Sequence, residues 1–382
     1  MKLQRILIEN FRNHSSSLIN CSPGVNLFVG DNGEGKTNVL EAISYLCLTK
    51  SFYAASDAVV LKIGENSFVV SGSIVTEHGV DYDVRVDFNK ALNQKTVSVN
   101  KAKVDKASSL IGMFPVVLLS PEQSAVTFGS PADRRRFVDF VISQSSRAYL
   151  EDLIDYRRIL KHRNSILADI QSTRGNYTDV IQPWNESLVK SGTAVMKKRM
   201  EFIRDYQSIM IDSYNRLSGS AESPGVTYVA SFECNEDGEK TIADIFTNKL
   251  NERLLDEQRI GYSLVGPHRD EFNFQINNIN ARNYASQGQH KTLLIALKLA
   301  EFFYLKERCN ETPILLLDDV LSELDERRSR RLLEITANLG QIFITSTDER
   351  ALRGLPAGVV KTRRFFVKQG SINDGEKAGS VN

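Results

Sequence analysis

Apolar and polar positions change rhythm several times along the chain, and each change marks a different kind of element. Leu3, Ile6 and Ile8 open an apolar strand pattern, and the run Val25–Val29 reads as a buried strand ending at Gly30. Thr37 to Leu48 carries a helical pattern. From about Ser67 to Val99 the period is two: Phe68, Val70 and Ile74, then Val80, Tyr82, Val84, Val86 and Phe88, with turn residues between the runs. That alternation predicts antiparallel hairpins. Val116–Leu119 is a further short buried strand, and Ser130-Pro131 is an N-cap followed by proline at the first helical position.

From Arg147 to Leu217 the period becomes helical. Tyr149, Leu153, Tyr156, Leu160, Leu167 and Ile170 follow a 4-3 spacing that Arg163 interrupts. After a polar break, Gln171 to Asp179, one column holds Leu188, Val195, Phe202 and Ile209, and its neighbour Met196, Ile203, Met210 and Leu217. Two such helices predict a short antiparallel helical hairpin, far too short for long coiled-coil arms. Strand and helix then alternate: strands at Phe272–Ile276, Asn280–Arg282, Ile314–Leu317 and Gln341–Thr345, helices at Ser286–Glu307 and Glu326–Leu339. The tail from Gly370 to Asn382 is polar and expected to be mobile.

Composition narrows the class. The chain has 382 residues, 41% hydrophobic and 25% charged, with a formal net charge of +1. Such a chain buries a sizeable core, and contact with a nucleic acid must come from a local patch instead of a global field. Cys21, Cys47, Cys234 and Cys309 form no CxxC pair and read as reduced thiols of a cytosolic protein. There is no HExxH, no apolar run of the kind a signal peptide carries, and no stretch of 18 apolar residues, so no membrane span is expected. The glycosylation-like triplet Asn176-Tyr177-Thr178 is a chance match for an unsecreted chain.

Two segments carry chemistry. Gly30-Asp31-Asn32-Gly33-Glu34-Gly35-Lys36-Thr37 fits GxxxxGK[ST] at every fixed position and sits between a buried strand and a helix. Its glycines let backbone N–H groups turn inward around phosphates, and the helix N-terminus adds a favourable dipole. Lys36 is placed to neutralise β- and γ-phosphates, and the Thr37 hydroxyl to bind Mg²⁺. The second segment, Ile314–Asp319, is an apolar strand ending in two carboxylates. Asp318 would hold Mg²⁺ through water, and Asp319 would orient or deprotonate the attacking water. Ser286-Gln287-Gly288-Gln289 opens the helix upstream of the acids, Leu321–Asp325 follows them, and Thr345–Asp348 ends the next strand.

In this order the pieces resemble the SMC/RecF branch of ABC ATPases: Asn10-Phe11-Arg12-Asn13 after the first strand, the phosphate loop, the signature motif Ser286–Gln289, Leu317-Asp318-Asp319, and the D-loop Ser322–Asp325. Ser120-Pro121-Glu122, the stretch Pro131–Asp139 with its arginine triplet, and Val265–Asp270 strengthen the likeness. The resemblance spans Leu3 to about Lys368. It implies an α/β fold: an ABC-ATPase head with a phosphate-loop core, two lobes, a mixed sheet and an antiparallel β subdomain, plus a helical hairpin second domain. Expected boundaries are 1–145 for the first lobe, 146–257 for the helical insert, 258–369 for the continuation of the ATPase and 370–382 for the tail.

The resemblance also implies ATP and Mg²⁺ as ligands, an ATP-dependent homodimer, and DNA with single-strand gaps or single-strand/double-strand junctions as partner. It implies work beside RecR and RecO in recombinational repair, favouring RecA loading and the SOS response, in the cytoplasm. Arg12, Asn13 and Asn38 would join the phosphate loop around the nucleotide. Ser286, Gln287, Gly288 and Gln289 would meet the γ-phosphate bound to the opposite subunit. Gln123, near the family's Q-loop, would join Thr37 and Asp318 at the metal.

Two departures from general ABC proteins, Asp319 in place of glutamate and Thr347 in place of the switch histidine, imply slow, DNA-stimulated hydrolysis, with ATP acting more as clamp than as fuel. For DNA, two basic surfaces are candidates: the helical hairpin (Arg147, Arg157, Arg158, Lys161, Arg163, Lys197, Lys198, Arg199, Arg204) and the lysines of the β hairpins (Lys62, Lys90, Lys95, Lys101, Lys103, Lys106). Arg134, Arg135 and Arg136 are equally open to DNA contact and to internal ion pairing. A transporter ATPase subunit, an SMC-like structural protein and a small-molecule kinase are the alternatives. The missing switch histidine, the lack of room for arms, and the signature with its paired acids count against them in turn.

Overall fold

The computed structural model describes every residue except 174–177, 220–221, 234–240, 338, 353–360 and 376–382. Cys234, part of the 171–179 break and most of the expected mobile tail therefore lie outside the described residues. The chain forms two compact units. The first holds Met1–Ser124, Ser213–Ser220 and Leu294–Asn382; the second holds Ala125–Asp212 and Ala221–Leu293. The breaks between these units fall at 124/125, 212/213, 220/221 and within the helix Gln287–Cys309.

Two six-stranded sheets build the first unit. One is antiparallel, in the order His14–Asn20, Lys2–Phe11, Ser67–Val75, Asp81–Asn89, Gln94–Val99, Ala102–Lys103. This is the sheet that the period-two alternation predicts. Phe68, Val70, Ile74, Val84, Val86 and Phe88 are all buried, while Val80 is 47% exposed and lies outside the strands. The other runs Ser371–Asp374, Thr362–Lys368, Val25–Val29, Ile342–Ser346, Ile314–Leu317, Val116–Leu119. All its pairings are parallel except the one at the Ser371–Asp374 edge, which forms a hairpin within the expected tail. Val25–Val29, Ile314–Leu317 and Val116–Leu119 have the predicted bounds, because a strand buried on both faces is almost wholly apolar; the one polar member, Asn26, donates to the Ser22 carbonyl at 2.9 Å.

Arg147–Thr173 and Thr178–Ser218 are the helices of the expected hairpin; both lie in the second unit except for the last turns of Thr178–Ser218 from Ser213, and the second unit also holds Pro131–Ser145 and Ile242–Ile260. A three-stranded antiparallel sheet runs Ile279–Asn280, Glu271–Ile276, Pro224–Val229. The expected strand at Asn280–Arg282 is only a two-residue strand, after which Ala281–Tyr284 turns helical. Both apolar columns of the second helix are buried except at the half-buried Ile209, and Leu188, Val195, Met196 and Met210 are fully so.

Arginines that look like surface residues are core residues here. Arg163 interrupts the apolar spacing because it is buried with partners: Glu257 at 2.5 Å, Asn185 at 2.8 Å and Ser263 at 2.6 Å. Arg199 bonds Asp139 at 2.8 Å, Asp270 at 3.2 Å and the Pro267 carbonyl at 2.7 Å. Arg134 forms a two-pronged pair with Glu271, both contacts 2.8 Å, and Arg135 donates to the Asp270 carbonyl at 2.6 Å. The arginine triplet is thereby resolved for its first two members as internal bonding, whereas Arg136 is 77% exposed. Of the hairpin's expected basic face, Arg163 and Arg199 are buried.

His268 is held by Tyr156, whose hydroxyl lies 2.6 Å from Nδ1, and by the Ser263 carbonyl at 3.1 Å. Burial, with smaller repulsion from Arg269, Arg135 and Arg163, pushes its pKa down from 6.5 to about 4. Between those values an unfolded chain binds a proton that the native chain excludes, so stability rises with pH across that window. The contribution is complete above pH 6.5 and is lost as the pH falls toward 4. Urea titrations at pH 7 and pH 5 are expected to give a larger acid-induced loss for the natural chain than for His268→Gln. Separately, Arg163→Ala strands the Glu257 carboxylate in the core, an expected loss of about 3–5 kcal/mol in the same titrations at pH 7.

Candidate nucleotide site

The site grows from strand ends. The parallel register sets Val29 opposite Ser346, Leu317 opposite Ile344 and Leu317 opposite Leu119. The residues that follow, Gly30, Asp318 and Ser120, therefore emerge along the carboxyl edge of one sheet, where open α/β sheets hold their ligands. The Asp318 amide extends this register by donating to the Leu119 carbonyl at 2.9 Å.

After Val29 the chain turns through Gly30–Gly35 and enters the helix Lys36–Leu48. Gly35, the N-cap, has φ 107°, and a Cβ there would collide with the Asn13 side-chain amide. Asn13 in turn donates to the Glu34 carbonyl at 2.9 Å and accepts from Asn38 at 2.8 Å. The Gly370 amide also reaches the Glu34 carbonyl, at 2.9 Å. The loop is thus braced from behind, while Asp31, Asn32 and Gly33 are exposed. Lys36, only 4% exposed, bonds the Gly30 and Asp31 carbonyls at 2.9 and 3.1 Å and keeps its ammonium within the loop.

Asp318 is the hub. Its Oδ1 accepts from the Thr37 hydroxyl at 2.8 Å and the Thr345 hydroxyl at 2.7 Å; its Oδ2 accepts from the Tyr53 hydroxyl at 2.9 Å. Burial and the charge of Asp318 push the Tyr53 hydroxyl well above the usual phenol range, so it remains a donor. Asp319 follows in the left-handed region at φ 49°. Its amide donates to Thr345 Oγ1 at 2.9 Å. Burial raises the Asp319 carboxyl above the ordinary carboxylate range; the Lys36 charge opposes this and the Asp318 charge adds to it.

Arg12 clasps Glu41 with two 2.7 Å bonds and reaches the Val59 carbonyl at 3.3 Å. Gln123 lies in the turn after Val116–Leu119, and its Oε1 is buried with no hydrogen-bond partner among the described residues. Mg²⁺ takes hard oxygen donors and keeps much of its shell for phosphates and water. The oxygens of Thr37 and Asp318, with the unsatisfied Oε1 of Gln123, are of the right chemistry. Among the described residues no three His, Cys, Asp or Glu side chains gather as an all-protein cage would require.

The signature motif lies in the second unit and is built as a helix cap. The Ser286 amide donates to Gln289 Oε1 at 2.8 Å, and the Gln289 amide donates to Ser286 Oγ at 3.2 Å. Ser286 and Gln287 are exposed, and the Gln289 side-chain Nε2 donates to Glu222 at 2.8 Å. The structure thus brings Arg12, Asn13, Gly30–Asn38, Gln123, Asp318 and Asp319 into the first unit, with Ser286–Gln289 in the second. Sequence reasoning passes over Tyr53, Glu41 and the bonding of Thr345 to Asp318. Only Thr345, at the end of an apolar strand, stands where a pattern could have marked it.

The family described as the RecF/RecN/SMC N-terminal domain matches residues 2–369. The protein named DNA replication and repair protein RecF from Chloroherpeton thalassium is 42% identical over 354 residues, covering 92% of this chain and 96% of that protein. The chain belongs to the RecF family. Its RecF relative from Prosthecochloris aestuarii is 40% identical, again over 92% of this chain, with 95% of that protein covered. A solved structure described as the recombination mediator protein RecF bound to ATP in the RecFOR pathway superimposes with a TM-score of 0.88 at 30% identity, covering 97% of each chain. A Pyrococcus furiosus Smc head domain shares the fold, with a TM-score of 0.56 at 12% identity, covering 98% of this chain and 97% of that one. The fold class expected from the sequence, an ABC-type ATPase head, is therefore that of this RecF-family chain.

Gly35→Ala places a side chain against Asn13 at a backbone angle that favours glycine. Titration with a fluorescent ATP analogue is expected to reveal at least about tenfold weaker binding, the scale of one strained backbone position.

Proposed function

We propose that the chain binds ATP with Mg²⁺ and uses it to control its grip on gapped DNA during recombinational repair. The observation that carries this reading is the 2.8 Å bond between Thr37 and Asp318, which unites the phosphate loop and the acidic strand in one site. Lys36 and the loop amides receive the phosphates, Arg12, Asn13 and Asn38 support the nucleotide side, and Thr37, Asp318 and Gln123 hold Mg²⁺. The bound Mg²⁺ offsets charge on the transferred phosphoryl group. Asp319 orients and deprotonates the attacking water. Its raised pKa suits a base, but its short side chain and the exposed Thr347 in place of a switch histidine limit the rate. The activity that follows is slow hydrolysis stimulated by DNA.

Ser286–Gln289 stand at the N-terminus of a long helix, with Ser286 and Gln287 facing solvent. That helix end suits the γ-phosphate of nucleotide bound to a second copy. Nucleotide then bridges two chains, and loss of the γ-phosphate loosens them. A near-neutral chain gains phosphate contacts by dimerising, so DNA binding follows dimerisation. Support for the DNA role, and for RecR and RecO as partners, comes from the relatives: they are named for DNA replication and repair, and a solved neighbour is described as part of a RecFOR pathway. No described helix is long and apolar enough to cross a membrane.

The test is fluorescence anisotropy of a labelled gapped duplex, with and without ATP–Mg²⁺, at two salt concentrations. For the natural chain, ATP is expected to tighten binding and added salt to weaken it. Ser286→Arg is expected to keep nucleotide binding and lose both the ATP effect and ATP-dependent dimerisation in light scattering. DNA binding indifferent to ATP removes the ATP-gated grip, and dimerisation by Ser286→Arg removes the role of the signature motif across two chains.

A further inference from the structure

We propose that Tyr53 is a positioning residue for the metal-binding acid, set in place by a strap that ties Asp318 to Arg12. The inference rests on the reading of Thr37 and Asp318 as the Mg²⁺ site and assigns a role to a segment that no motif marks. After the helix Lys36–Leu48, the chain turns at Thr49, whose φ is 55°. Ser51 then organises the next residues: its Oγ accepts the amides of Tyr53 at 2.9 Å and Ala54 at 2.8 Å and donates to Glu41. A serine that gathers the amides two and three residues ahead fixes a local turn. Glu41 is buried, and its carboxylate also takes both bonds from Arg12. From this anchored turn the Tyr53 ring reaches Asp318 Oδ2.

The division of labour at Asp318 is what singles out Tyr53. Thr37 and Thr345 both bond Oδ1, and Tyr53 bonds Oδ2. The two threonines restrain one carboxylate oxygen and Tyr53 restrains the other, so the plane of the group is held from both ends. All three donors are neutral hydroxyls, and among the described residues Asp318 forms no ion pair. The carboxylate is therefore held in one orientation without its charge being neutralised by the protein, which suits a group that must attract a divalent cation. A lysine or arginine in place of Tyr53 would hold the group equally firmly but compete with the cation. The same strap joins Arg12, on the nucleotide side, to Asp318, on the metal side, through Glu41, Ser51 and Tyr53.

The measurement is the affinity of a fluorescent ATP analogue in EDTA and across a series of Mg²⁺ concentrations. Tyr53→Phe removes only the hydroxyl. It is expected to bind nucleotide in EDTA as the natural chain does and to need about tenfold more Mg²⁺ for half of the Mg²⁺-dependent tightening, the scale of one hydrogen bond to a charged group. Ser51→Ala is expected to move the midpoint in the same direction by less. Tyr45→Phe, which removes another largely buried tyrosine hydroxyl, bonded to Asp57, is expected to leave the midpoint unchanged. An unchanged Mg²⁺ midpoint for Tyr53→Phe, or an equal weakening with and without Mg²⁺, overturns the positioning role alone. A natural chain whose nucleotide affinity ignores Mg²⁺ overturns the metal site and, with it, this inference.

Discussion

The arrangement of this molecule's chemistry depends on one buried carboxylate, that of Asp318. Its position is decided by parallel strand pairing: Leu317 lies between Leu119 and Ile344, and the Asp318 amide continues the ladder. Removing a carboxylate from water is costly unless strong partners replace the solvent. Here the hydroxyls of Thr37, Thr345 and Tyr53 replace it. Each arrives from a different segment: the start of the phosphate-loop helix, the end of the neighbouring strand, and the turn after the helix. The carboxylate therefore serves as a common acceptor that fixes these segments with respect to one another, and bonds of this type are among the stronger ones available to neutral donors.

The phosphate loop is held with similar economy from its outer side. Asn13 fills the space that a Cβ at Gly35 would take and bonds Glu34 and Asn38. The turn at Gly370, far along the chain, takes the other position on the Glu34 carbonyl. A loop whose amides must face a ligand cannot pair those amides internally, so its rigidity has to come from groups behind it. The turn between Thr362–Lys368 and Ser371–Asp374 is one of those groups, which gives the end of the described chain a part in shaping the site.

The second unit relies on paired charge where an apolar core would otherwise suffice. Asp139 accepts from Tyr149, Arg157 and Arg199, and Arg199 reaches on to Asp270. Val265–Asp270 supplies Pro267, His268 and Asp270 to these contacts, so the distinctive residues of that stretch are spent on architecture. Buried ion pairs contribute modest net stability, but they are intolerant of mispairing. The helices and the small sheet of this unit are consequently specified by direction and register as well as by apolarity. At Ser286–Gln289 the same unit presents a helix start at which the Ser286 and Gln289 amides are capped locally.

How much of this is legible in the chain alone follows from the range of each interaction. Period-two alternation marks the antiparallel sheet, short, mostly apolar runs mark Val25–Val29, Val116–Leu119 and Ile314–Leu317, and a fixed local spacing marks Gly30–Thr37. These depend on neighbours a few residues away, which is why their bounds and order, and the family likeness, emerge before any coordinates. Arg163 and Arg134 are different: as letters Arg163 reads as a surface cation and Arg134 is open to either role, and only partners 94 and 137 residues distant make them core residues. Tyr53 has no local signal, because its meaning comes from a carboxylate 265 residues further along. The sequence by itself determined the period-two strands, the short core strands, the hairpin helices and the nucleotide motif, since each is encoded in local spacing. The tertiary structure decided which charges are buried and which hydroxyls hold Asp318, since those follow from long-range register and desolvation.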